Sequence, residues 1–213
     1  LSATETGSYN TFISSKTTRR SMIYIGANDA MLHGFDARIK KYNDSDYAEA
    51  GKEIIAYIPN TSFNTNGNLK NITSTTYNHQ YFVDGSPKVG DVYCNGFTGS
   101  TCSAGWHSVL VGTMAAGGKG IFALDVTNPD SFSTSSVLWE VNTTEGPKTS
   151  DVTTDTTSSG TPNIVSRGFG NNLGYTMAQP SIARLNTASG TIQWAAIVGN
   201  GYVSTNNYSI LYV

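Results

Sequence analysis

Residues 108–128, SVLVGTMAAGGKGIFALDVTN, decide the fold. Val109, Leu110 and Val111 form an apolar run that ends at Gly112. A turn rich in glycine follows at Gly117, Gly118 and Gly120. Residues 121–126 then run apolar as far as Asp125, just before Asn128-Pro129. Short β-branched and aromatic runs bounded by Gly, Asn, Asp and Pro are the signature of strands, here of a β-hairpin. The same shape occurs at residues 22–37, where MIYIG passes through Asn28-Asp29 into MLHGFDA. It begins again at residues 195–213, where AAIVGNG leads towards SILYV. Gly26 and Gly112 are 86 residues apart, Gly112 and Gly199 are 87 apart, and Asp36 and Asp125 are 89 apart. Such regularity means that one supersecondary unit is reused.

Working outward, each unit takes four strands. The middle one comprises residues 81–93, 106–112, 120–126 and 136–141, the last carrying Trp139. Four antiparallel strands per repeat is the pattern of a propeller blade. A blade needs roughly 40–50 residues, so a longer period means long insertions. The expected fold is all-β, a partial β-propeller of antiparallel four-stranded blades. Residues 1–20 are a loose polar lead-in, and residues 21–213 hold about two and a half blades with insertions at 38–51, 60–78 and 142–174. No helix longer than about two turns is expected, and residues 44–52 are the best place for a short one.

Composition narrows the function classes. Of 213 residues only 13% are charged and 11% are aromatic, with a net charge of −2. A neutral, polar surface suits an extracellular β-rich protein, and the lack of a basic face argues against a nucleic-acid partner. No apolar run approaches the ~18 residues of a membrane span. Leu1 opens the chain and no signal-like apolar stretch follows, so it reads as a piece of a larger protein. Cys94 and Cys102 flank seven residues, six of them turn formers, between two strands, a spacing that brings the pair within bridging distance. A disulfide implies an oxidising compartment; two free thiols are the alternative. The five N-x-[ST] sequons, starting at Asn43, Asn60, Asn71, Asn142 and Asn207, are what this composition yields by chance.

Several segments, in one order, carry a resemblance: YIGANDAMLHGFDA, QYFVDGSPKVGDVY, WHSVLVGTMAAGGKGIFALDVTNP, LGYTMAQPSIARL and AAIVGNGY. They resemble the C-terminal β-propeller of the PilY/PilC-type type IV pilus tip proteins over about residues 21–213. The resemblance implies a modified propeller that joins a separate N-terminal adhesive region. It implies a non-enzymatic bacterial cell-surface protein at the pilus tip or outer membrane. There it would support adhesion, pilus assembly and retraction control, with pilus subunits or a host receptor as partners. Family members also carry a calcium loop. No D-x-D-x-[DN]-G loop occurs in this chain, so calcium is expected in the parent protein and no cofactor in this stretch.

Other constellations compete with that reading. YIGANDAMLHGFDA also resembles repeats of quinoprotein dehydrogenases, which hold pyrroloquinoline quinone and calcium on a propeller axis. The apolar end at residues 210–213 would suit a building block that assembles through open strand edges. The Gly112–Gly120 stretch has glycines and Lys119 like a phosphate loop, but its spacing is off and Gly120 replaces the magnesium-binding hydroxyl. It is expected to be a tight turn needing positive φ. Asp44, Asp46 and Glu49 are weak metal candidates that lack the required turn glycine, and Asp151 and Asp155 are weaker still. His33, His79 and His107 are expected to be hydrogen-bonded strand residues. No Ser-His-Asp order is evident. Asp36 and Asp125 recur at equivalent places and are expected to cap turns by accepting backbone N–H bonds.

Overall fold

A computed structural model describes residues 1–39, 47–64, 69–94, 102–143, 169–186, 192–207 and 209–213. Among the described residues, ten strands form three antiparallel sheets. The first joins β1 (Met22–Gly26), β2 (Leu32–Asp36) and β3 (Glu53–Tyr57). The second runs β4 (Lys88–Cys94), β5 (Gly105–Thr113), β6 (Gly120–Asp125) and β7 (Val137–Asn142) in that order. The third joins β8 (Ser181–Asn186), β9 (Ile192–Gly199) and β10 (Leu211–Tyr212), with β9 in the centre. By the repeat, β1, β5 and β9 are equivalent, each at or near its end carrying Gly26, Gly112 or Gly199. The architecture is a partial propeller in which, among the described residues, a four-stranded blade sits between two of three strands.

The apolar runs of the central hairpin have a simple cause. A strand covered on both faces reads as continuously apolar instead of alternating. Val109, Val111, Ile121 and Ala123 point to one side, where they pack with Leu173, Val198 and Tyr212 of the third sheet and its flank. Leu110, Phe122 and Leu124 point to the other, where they meet Leu32 and the rings of Tyr24 and Tyr57. The Tyr57 and Phe122 rings lie 5.3 Å apart. β1, by contrast, is covered on one side only: Tyr24 faces the core while Ile23 and Ile25 are more than half exposed.

The glycines of the central turn are required by close approach, and this corrects the expectation of positive φ. In the β5–β6 connection the positive φ belongs to Ala115, at 45°. A Cβ on Gly117 would lie 1.5 Å from the Phe82 carbonyl oxygen, and one on Gly112 would lie 2.2 Å from the Phe122 ring. The turn is a short 3₁₀ segment, Ala115–Gly117, and a strand follows it.

Three further expectations change. Residues 80–85 form no strand; Phe82 and Val83 are buried as an irregular plug under the first two sheets. Residues 44–52 yield only a 3₁₀ turn at Tyr47–Glu49 among the described residues, and Asp44 and Asp46 lie outside them. The lead-in is not loose: Ala3–Ser15 is a 13-residue helix, α1. Ser2 and Glu5 close a capping box at its start, the Ser2 hydroxyl accepting from the Glu5 N–H at 3.1 Å. That S-x-x-E signature was readable in the sequence. The helix escapes a hydrophobic-period search because Glu5 is its one buried residue.

Candidate functional site

The strands give the sheets two distinct ends. One carries the end of β4, the start of β5, the end of β6 and the start of β1. The other carries the β5–β6 turn, the end of β3, the start of β4 and the end of β7. The excursion at 60–78 includes a helical turn, α2 (Thr61–Asn64), and a 3₁₀ segment, Leu69–Thr73. Its base is buried, with Thr61 and Ser62 almost inaccessible. The Asn60 N–H donates to the Glu140 carboxylate of β7 at 2.9 Å. Most of 142–174, with Asp151 and Asp155, lies outside the described residues.

The first end is where polar side chains gather, and α1 with the residues after it supplies most of the contacts. Arg184 of β8 donates to the Glu5 carboxylate through Nη2 at 2.8 Å, and Trp194 of β9 donates through Nε1 at 3.0 Å. The Arg184 bond holds the Glu5 carboxyl down at about 2, against the opposing effect of burial. Trp106 of β5 donates its Nε1 hydrogen to the Glu5 carbonyl and the Ser8 hydroxyl, both at 3.2 Å. Asp91 of β4 accepts from the Tyr9 hydroxyl at 3.1 Å, from Ser108 at 2.9 Å and from the Lys16 ammonium. Arg19 reaches the Ser108 hydroxyl at 2.9 Å. Arg20 bonds Asp36 of β2 and Asp130 beyond β6. The N-terminal twenty residues therefore clasp all three sheets at one end.

Asp36 and Asp125 occupy equivalent positions and make the same local bond. Asp36 accepts from the Arg38 N–H at 3.0 Å, and Asp125 accepts from the Thr127 N–H at 2.9 Å. Both are the expected turn caps, and each adds a second partner. Arg38 and Arg20 hold the Asp36 carboxyl far below the usual carboxylate range. Asp125 pairs with His107, its Oδ2 lying 2.7 Å from Nδ1.

His107 brings together residues that the sequence kept apart. Its Nε2 lies 3.1 Å from the Ser103 carbonyl oxygen and 3.3 Å from the Ser103 hydroxyl. Ser103, His107 and Asp125 thus have the sequence of contacts of a nucleophile, base and orienting acid. The nearer partner is the carbonyl, which needs a hydrogen on Nε2. A general base for the serine needs a free lone pair there. The Asp125 bond also raises the His107 pKa, with burial opposing it. The arrangement therefore suits a doubly donating imidazolium that fixes Ser103. Ser103 directly follows Cys102, which is bridged to Cys94 with the Cα atoms 6.0 Å apart. His33 is also a hydrogen-bonded strand residue, between Asp29 and Glu53. His79 is not in a strand; its ring meets Tyr81 edge-on at 5.2 Å. Among the described residues no group of three or more His, Cys, Asp or Glu side chains is placed to hold a metal. Among them no helix is long and apolar enough to cross a membrane.

Comparison with known proteins agrees with this architecture. Residues 2–213 match the family model of the PilY1 beta-propeller domain. The type IV pilus biogenesis factor PilY1 of Pseudomonas aeruginosa is 35% identical over 210 residues, covering 97% of this chain and 13% of that protein. A PilY1 homolog of Xylella fastidiosa is 36% identical over 208 residues, covering 97% of this chain and 11% of its own. The crystal structure of the Pseudomonas aeruginosa PilY1 C-terminal domain matches with a TM-score of 0.59 at 34% identity, over 95% of this chain and 29% of that one. The chain thus spans only a small share of the length of these relatives.

Proposed function

The chain belongs to the PilY1 β-propeller family, and we propose that it forms the blade-bearing part of a non-enzymatic type IV pilus biogenesis factor acting at the bacterial cell surface. In this reading the blades are a rigid scaffold that presents contact segments to pilus subunits or to a host surface, in support of adhesion, pilus assembly and retraction control. The observation that carries it is the match over residues 2–213, nearly the whole chain, together with three sheets in the order a propeller requires. Loops on rigid scaffolds are where binding function concentrates. The excursion at 60–78 has that form, with a base bolted to β7 through Asn60 and Glu140.

The test is made in the piliated bacterium that encodes the chain. Residues 69–78 are replaced by a short Gly-Ser linker, leaving the buried base intact. Surface piliation, twitching and attachment are then scored. Loss of any of these with normal protein level supports the reading. Unchanged piliation, twitching and attachment in this variant and in one shortened within 144–168 overturn it.

A second reading is favoured by the exposed face of β1. Ile23 and Ile25 stand in the open at 59% and 54% of full exposure. On a sheet whose opposite face is packed, such a face suits another sheet. We infer that a further blade of the longer protein covers it, and that in isolation it drives self-association.

A further inference from the structure

An open cleft of about 650 Å³ runs between α1 and the start of β5. Phe12, Thr4, Ser8 and Thr11 form the helix side; Tyr93 and Trp106 form the sheet side. Trp106 is the floor, 8% exposed, with the Tyr93 ring edge-on to it at 5.5 Å. Phe12 and Tyr93 are half-buried, so their rings remain partly open to the cleft. Gly105 keeps one rim low: its φ is +134°, and a Cβ there would meet nothing within 4 Å. Among the described residues no charged side chain lines the cleft. The nearest ammonium, that of Lys16, is paired with Asp91 and sits over the Phe12 ring at 4.6 Å.

We propose that this cleft binds a neutral saccharide. A sugar ring has one face of C–H bonds and a rim of hydroxyls. Partly exposed aromatic rings match the first, since their faces are electron-rich and apolar. The hydroxyls of Thr4 and Thr11, two turns apart on one helix, match the second, while that of Ser8 is already engaged by the Thr4 carbonyl at 2.8 Å and by Trp106 at 3.2 Å. The uncharged lining decides against a sialylated or phosphorylated ligand, because a charge held there would lose water without gaining a counter-charge. An extended peptide is disfavoured on the helix side, where the backbone groups are already bonded within the helix and offer no ladder. The assignment goes beyond the pilus reading and does not depend on it.

The experiment is a screen of the oxidised chain against immobilised neutral, sialylated and sulfated glycans and unrelated peptides. The best neutral hit is then titrated by tryptophan fluorescence. Trp106 at the floor supplies the signal. Phe12→Ala is expected to weaken binding tenfold or more, and Thr11→Val two- to fivefold with an unchanged melting temperature. Binding that ignores both substitutions overturns the proposal. So does a screen with no neutral-glycan hit, or one in which only charged glycans or peptides bind.

Discussion

Glu5 and Arg184 are 179 residues apart in the chain and form an ion pair at 2.8 Å, with the carboxylate buried and the guanidinium partly exposed. The pair ties the N-terminal helix to the third sheet across the end of the second. It belongs to a clasp that also uses Trp106, Asp91 and Asp36.

Arg184→Leu leaves the Glu5 carboxylate without its main partner in a buried place. Such losses cost about 2–3 kcal/mol, more than an exposed pair could. Thermal unfolding is expected to shift down, and proteolysis within α1 to accelerate. A melt unchanged within error would show the clasp to be ornamental. The pH dependence has a definite sign. Glu5 has a depressed pKa of about 2 against an ordinary 4.5. Its contribution is therefore complete above pH 4.5 and fades as pH falls towards 2. Glu5→Gln should be less stable than the parent at about pH 6 and approach it below about pH 3.

The His107–Asp125 pair titrates at both ends. His107 is raised above 6.5, so its contribution is full below that value and fades as pH rises through the folded value. Burial pushes Asp125 up, but the His107 and Thr127 bonds outweigh it and leave the carboxyl below 3.8. Its contribution fades on acidification. The pair should thus stabilise most between about pH 4 and 6.5. His107→Gln is expected to cost about 1 kcal/mol at about pH 6 and to flatten the alkaline arm in melts between about pH 6 and 9.

Reduction of Cys94–Cys102 releases a short loop whose Cys94 end is buried at 7% exposure in the core. Chain entropy for a separation of eight residues corresponds to about 2.5 kcal/mol. The Cys94→Ala/Cys102→Ala variant should lose about that amount in denaturant unfolding and become insensitive to reductant. A reductant effect that persists in it would contradict the assignment.

Two glycines should respond oppositely to alanine. Gly117→Ala puts a methyl 1.5 Å from the Phe82 carbonyl oxygen. Since that neighbour is backbone, the turn must move, at about 3 kcal/mol or more. Gly7 lies inside α1, and a methyl there would meet nothing within 4 Å. Gly7→Ala should stabilise by about 0.5–1 kcal/mol. The two melting temperatures, measured side by side, check both.

Ile23→Thr with Ile25→Thr keeps β-branched residues in β1 while removing the exposed apolar face. Light scattering is expected to show concentration-dependent association in the parent chain and less in the double variant. A monomeric parent at high concentration would remove the case for an open sheet face.

The strands and their grouping were legible in the sequence because they follow local rules. VLV and IFALD are continuous apolar runs for strands covered on both faces, but MIYIG is just as apolar, and that β1 is covered on one face, leaving Ile23 and Ile25 open, was decided by the tertiary structure. The equivalence of Asp36 and Asp125 followed from the repeat, and their capping bonds span only two residues. The S-x-x-E box at Ser2 and Glu5 was equally local. What the tertiary structure decided were contacts between residues far apart. Glu5 meets Arg184 and Trp194, His107 finds Asp125 across the hairpin, and Phe82 presses its carbonyl against Gly117. No period of two or 3.6 residues encodes such meetings. They arise when the sheets stack and their ends come into register, and the polar groups gathered at the clasp owe their partners to that stacking.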